Sequence, residues 1–232
     1  MSEHIVKQFD VDLENIRSQV LQMGGLVEQQ IAKAMECLAA GDSALIEQTI
    51  QNDDRVNRME VDLDEACTNI IARRQPAAGD LRMVMMVVKT ITDLERIGDE
   101  AKKIAKKARS IHGADTHSVP HIELRHVAGL AIDMLRKALD AFARLDLTAA
   151  AQVVRQDKDV DAGFKGIMRQ LITFMMEDPR TISRSLELLF IAKSIERIGD
   201  HAKNISEYVV YMVKGRDVRH IGLAEIEKEV AG

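Results

Sequence analysis

The chain has 232 residues and a formal charge of −5, with 46% hydrophobic and 30% charged residues, 3 Pro and no Trp. That length allows one large domain or two of about a hundred residues each. The acidic balance argues against sequence-independent binding to nucleic acid, which needs a basic footprint.

Few prolines and aromatics, with abundant Leu, Ile, Val, Ala and Met, predict an all-α protein of long amphipathic helices and no sheet. Cys37 and Cys67 fall inside helical patterns with no paired spacing, so they read as reduced core thiols in a reducing compartment. The start, Met1-Ser2-Glu3-His4, lacks a signal pattern, and the most apolar run, Met83 to Val88, is too short to span a bilayer. A cytoplasmic location is expected.

In chain order, apolar residues recur at helical spacing from about His4 to Ala39: Val6, Phe9, Leu13, Ile16, Val20, Met23, Val27, Ile31, Met35 and Leu38. Gly24-Gly25 interrupts this first helix and predicts a bend or a close helix crossing. Gly41 should end it, and Asp42-Ser43 should cap a second helix running to about Arg73. That helix should stop at Gln75-Pro76, because a residue before proline is pushed out of the helical region.

Along the second helix, Asp53, Asn57, Glu60 and Asp64 follow at i, i+4, i+7 and i+11, one continuous polar stripe. A third helix is expected from about Leu81 to Ser110, with Val84, Val87, Val88, Ile91, Leu94, Gly98, Ala101 and Ala105 inward and Glu95 at the stripe's edge. Residues 112–120 carry Gly, Ser, Thr and Pro and read as a linker between a first unit, 1–111, and a second, 121–213. Helices are then expected at roughly His121 to Arg144, Leu147 to Met176 and Ile182 to Val213. The tail, 214–232, holds a mixed-charge stretch, Ala224 to Glu229, that reads either as a short extra helix or as disordered.

The second unit repeats the first. Asp42 matches Asp146, Asp53 matches Asp157 and Asn57 matches Asp161, all at an offset of 104; Glu95 matches Glu196 and Asp99 matches Asp200 at 101. A deletion of three residues therefore lies between the second and third helices of the second unit, and the whole reads as a duplicated three-helix bundle with six long helices. Beyond Asp161 the second stripe continues with Phe164 and Met168, so the two units need not bind alike.

In each copy of Glu-Arg-Ile-Gly-Asp, at 95–99 and 196–200, two carboxylates four residues apart stack on one helix face. Such like-charge pairs cost about 0.2–0.5 kcal/mol in an isolated helix. Asp53 and Asn57 precede the turn at Pro76-Ala77 by 23 and 19 residues, and Glu95 and Asp99 follow it by 18 and 22, so antiparallel packing sets them at one height. Oxygen donors so grouped suit hard cations such as Mg, Mn, Ca or Fe. The competing reading is ordinary surface ion pairing to Arg96, Arg197 and nearby lysines. Glycine at 98 and 199 predicts close approach of a neighbouring backbone.

An enzyme reading finds little support. Di-iron carboxylate bundles use Glu-x-x-His, and the one good instance, Glu123 to His126, lies off the acidic stripes. No phosphate-cradling glycine loop, nucleophile with an adjacent base, or zinc spacing is present. His201 beside Asp200 reads as a supporting group or, more simply, as a surface residue.

Gln75-Pro76 with Asp80-Leu81-Arg82, Glu95 to Asp99, and Glu196 through Ile205 together resemble the signatures of the PhoU family, along nearly the whole chain. The resemblance implies two tandem three-helix bundles and a cytoplasmic negative regulator of the phosphate regulon without catalysis of its own. It implies contacts with the ATPase subunit of the phosphate ABC transporter (PstB type) and with the phosphate-sensing histidine kinase (PhoR type). Homodimers are implied, with no nucleic-acid partner and only indirect membrane association.

Multinuclear Fe, Zn, Mn or Mg at the acidic motifs is implied as well. By position, the metal ligands would be Asp53, Glu95 and Asp99 in the first unit and Asp157, Asp161, Glu196 and Asp200 in the second. Asn57 departs from the acidic pattern, so the first site is expected to be weaker or to bind through Glu60 and Asp64. The rival from another class is a carboxylate-bridged bundle with storage or oxidase activity, and a third reading is a purely structural scaffold.

Overall fold

A computed structural model describes residues 7–113, 122–219 and 221–231, and shows helices α1 (Lys7–Ala40), α2 (Ser43–Arg74), α3 (Ala78–Gly113), α4 (Leu124–Arg144), α5 (Leu147–Glu177), α6 (Ile182–Lys214) and α7 (Leu223–Ala231). The six long helices fall where periodicity places them, within a few residues at each described end. The expected linker lies, from residue 114 on, outside the described residues. Three helices, α1 to α3, pack on one another, as do α4 to α6. The two units join mainly through α3 against α6, with α1 crossing α4 beside them.

The start and stop signals act locally as chemistry requires. Asp42 accepts from the backbone N–H groups of Ala44 and Leu45 at the start of α2, and Asp146 accepts from Ala149 N–H at the start of α5. Gly41 ends α1 in the left-handed region, φ 67°, under the ring of His112, whose Nε2 reaches Leu38 O at 2.9 Å. Gln75 leaves the right-handed region as the following proline demands, but into the left-handed rather than the extended region, and its N–H donates to Ile71 O as a C-cap.

Along α1 the side chains of Val20, Met23, Val27 and Ile31 are all fully buried. Each such side chain contributes about 1.5–3 kcal/mol relative to exposure. The Gly24-Gly25 pair produces a crossing and not a break: α1 is continuous, and a Cβ at Gly24 would meet Leu139 of α4 at 2.5 Å. Cys37 and Cys67 are free and buried, and burial pushes the Cys67 thiol up to about 12. The tail resolves to the helical alternative: α7 packs on α5, burying Ile226, with Arg155 donating to Glu227 at 2.6 Å.

α3 is buried on two faces, since it contacts both its own unit and α6. As α3 positions rise from 93 through 100 to 107, their α6 partners fall from 204 through 197 to 187, so the helices run antiparallel and the two signature copies lie beside each other in opposite directions. At this seam Asp93, 3% exposed, accepts from Asn204 Nδ2 (3.2 Å) and Tyr208 Oη (2.7 Å), and His201 Nδ1 lies 2.6 Å from it. Glu100, also buried, takes Lys103 at 3.0 Å and Arg197 at 3.1 Å. His201 is therefore neither a surface residue nor a support for Asp200: its ring faces α3, because a helix packed on several neighbours has no free side there.

Candidate metal centres

The second unit gathers its acids most closely. Asp157 and Asp161 from α5 and Asp200 from α6 each offer an oxygen, and these three atoms lie within 4.8 Å of one another, the one such group among the described residues. Glu196 stands outside this group, paired with Lys193 one turn earlier. Its charge still counts: burial first, then Glu196 and Asp157, push the Asp200 carboxyl up to about 6 against the opposing pull of Lys193. Three carboxylates on two helices form an oxygen-only donor set that fits a hard divalent cation.

The first unit is built differently. Asp53 is fully buried, with Oδ1 accepting from Gln30 Nε2 at 3.1 Å and Oδ2 from Lys102 Nζ at 2.8 Å, so both of its oxygens are engaged. Glu95 is raised above its usual range by burial first and then by the charges of Asp99, Glu60 and Asp53. Glu60 thus lies near enough to act on Glu95 by its charge, while Asp64 is exposed. Asn57 Oδ1 and Gln30 Oε1 are buried acceptors with no partner among the described residues, two neutral oxygens where the second unit's equivalent of Asn57 is a carboxylate. Among the described residues Asp53, Glu95 and Asp99 do not form a close three-carboxylate group like that of the second unit.

Gly98 and Gly199 face side chains and not backbone, which corrects the expectation drawn from their helix cost. A Cβ at Gly98 would lie 3.4 Å from Asp53 Oδ1 and Val56 Cγ1, and one at Gly199 would lie 3.3 Å from Val160 Cγ1. The glycines let the facing α2 and α5 side chains, the buried aspartates' own turn included, settle against α3 and α6.

Nearby lysines do pair with the acids, as the competing reading held, but on the buried aspartates and not at the surface. Lys203 Nζ donates to Asp157 Oδ2 at 2.9 Å, matching Lys102 on Asp53, and the two lysines stand at the same offset of 101 as the signature itself. They follow the two copies of the phrase by three residues, at Ala101-Lys102 and Ala202-Lys203.

Sequence comparison decides the family. The PhoU domain matches residues 20–108 and again 124–209. The chain belongs to the PhoU family. It is 49% identical over 232 residues to the phosphate-specific transport system accessory protein PhoU of Escherichia coli K12, covering 100% of this chain and 96% of that one. To the PhoU homolog of Pseudomonas aeruginosa it is 48% identical over 230 residues, 99% and 95% of the two chains.

The crystal structure of PhoU from Pseudomonas aeruginosa superposes with a TM-score of 0.85 at 47% identity, covering 90% of this chain and 100% of that one. Two PhoU domains in tandem, all helical, are thus what the doubled signature encodes. Among the described residues no helix is long and apolar enough to cross a membrane.

Glu207 is a buried acid outside the PhoU signature. It is 5% exposed and lines a cavity of about 320 Å³ with Arg82, Lys89 and Tyr211. Burial first pushes its carboxyl up to about 7; Lys203 and Arg219 oppose this, and Asp157 and Asp217 add to it. The folded protein therefore holds a proton on Glu207 that the unfolded chain has released between about pH 4.5 and 7.

That contribution to stability is full below pH 4.5 and is lost as pH rises through 7. Glu207→Gln should leave stability at pH 5 nearly unchanged and raise it at pH 8 by about 2–3 kcal/mol, measured by urea melts at both values. Equal effects at the two pH values would show that Glu207 is ionised throughout.

Proposed function

We propose that this chain is a cytoplasmic, non-catalytic accessory protein that restrains the phosphate regulon, linking the ATPase subunit of the phosphate transporter to the phosphate-sensing histidine kinase. The observation that carries this reading is full-length similarity, near half identity, to proteins named as accessory proteins of the phosphate-specific transport system.

The acidic centre of the second unit supports a structural role for a cation. Asp157, Asp161 and Asp200 would hold Mg, Mn, Fe or Zn between α5 and α6, neutralising carboxylates that otherwise repel, with Glu196 adding its negative charge from outside the group. In the first unit Asp53, Glu95 and Asp99, with the amide of Asn57, would hold a cation more weakly. A bound ion would fix the relative setting of the two helices and so the surface offered to partners.

That surface has an apolar component: Ile182, Leu186 and Phe190 stand 41%, 40% and 53% exposed at i, i+4 and i+8 along α6. Exposed apolar residues on one helix face suit a protein contact, either with the two named partners or within a homodimer.

The experiment is direct binding of the purified chain to the immobilised cytoplasmic part of the kinase and, separately, to the ATPase subunit, with an unrelated helical protein as control. Saturable binding to either supports the adaptor reading. Binding to neither, together with oxidation of added Fe(II) by the chain alone, would replace it with the oxidase reading.

A further inference from the structure

We propose that Lys203 is a tethered counter-ion that occupies Asp157 when no metal is bound, releases it to an incoming cation and moves to Glu207, and that the first unit gives up its lysine less readily. The inference rests on the cation-binding reading of the second unit. Lys203 Nζ holds Asp157 Oδ2 at 2.9 Å, the same carboxyl that shares the three-acid group with Asp161 and Asp200. A divalent cation therefore competes with an ammonium already in place.

Glu207 lies one turn beyond Lys203 on α6, the spacing at which side chains on a helix meet. It is buried, on the same helix face as Lys203. Lys203 thus has a second carboxyl group to go to when a metal takes Asp157: the arriving ammonium displaces the Glu207 proton to solvent, which keeps the exchange from leaving a cation stranded. Lys203 is itself only partly buried, with its side chain 34% exposed, so the movement needs no rearrangement of the core.

The first unit has the lysine and no destination. Lys102 holds Asp53, and the position equivalent to Glu207 is Lys106, a like charge. Asp53 is also fully buried and doubly engaged, through Gln30 as well as Lys102. One repeat accordingly gives up its lysine less readily, and so holds a cation more weakly, while the other exchanges its lysine for a metal.

The test uses the full chain, stripped with chelator, and Mn(II) as the probe, with free Mn(II) read by its EPR signal and apo stability by thermal melting. Lys203→Met should bind Mn(II) about fivefold or more tightly than the unaltered chain, the factor equivalent to losing one ion pair, and should melt lower without metal. Lys158→Met removes the same charge from an exposed position beside Asp157 and should change affinity less than about twofold, as a screened surface charge does.

Glu207→Gln should weaken binding severalfold, because Lys203 loses its second partner. Should Lys203→Met bind no more tightly than the unaltered chain, the counter-ion proposal is overturned while the metal centre stands. Should neither protein take up Mn(II), the metal centre itself is wrong and the proposal falls with it.

Discussion

Asp93→Ala should lower stability by about 3–5 kcal/mol, because it strips a buried acceptor from the three α6 side chains gathered around it, His201, Asn204 and Tyr208. At about 2–4 °C per kcal/mol for a chain of this size, the melting temperature should drop by about 10 °C. The loss is concentrated at the joint between units, since Asp93 is on α3 and all three partners are on α6. Hydrogen exchange should therefore rise first along the α3–α6 seam while the cores of the separate units stay protected. A drop under about 1 kcal/mol, the scale of an exposed ion pair, would mean that apolar packing alone holds the units together.

The second large effect concerns cation binding. Neutralising two of the three grouped acids, Asp161→Asn with Asp200→Asn, leaves the Asp157–Lys203 bond in place and removes most of the ligand charge. Mn(II) affinity should fall about tenfold or more, since affinity for hard cations follows ligand charge. Stability without metal should rise, because like charges crowded at one point repel, a strain visible in the Asp200 carboxyl, pushed up to about 6 by burial and by Glu196 and Asp157. The two effects have opposite sign and come from one cause. Metal content after dialysis and apo melting temperature measured on the same preparation check both; unchanged metal content would remove the site assignment.

The helices were legible because their signals are local. Asp42 and Asp146 as caps, Gly41 at a left-handed helix end and the 3.6-residue stripe of α3 each depend on residues within a turn or two, and the structure follows them. The doubled signature showed which carboxylates share a height, and Asp157, Asp161 and Asp200 do meet.

What was not legible depends on a third partner. Asp93 and Glu100 sit on a second face of α3, with Met86, Thr90, Ile97 and Ile104, that is buried only because α6 of the other unit packs there. Periodicity within one helix shows that such a face exists but not what covers it. For the same reason His201 read as a surface residue, and Gly98 and Gly199 read as points of backbone contact when they receive side chains. The lysines on Asp53 and Asp157 were visible in the repeat but carry no meaning until their partners' burial is known.

The measurement that bears most directly on the regulatory account is alkaline phosphatase output in phosphate-rich medium from the host strain deleted for this gene, with and without the gene returned. The account predicts high output in the deletion strain and silencing on return. Output that stays low in both strains would contradict a negative-regulator role and leave metal chemistry as the chain's leading function.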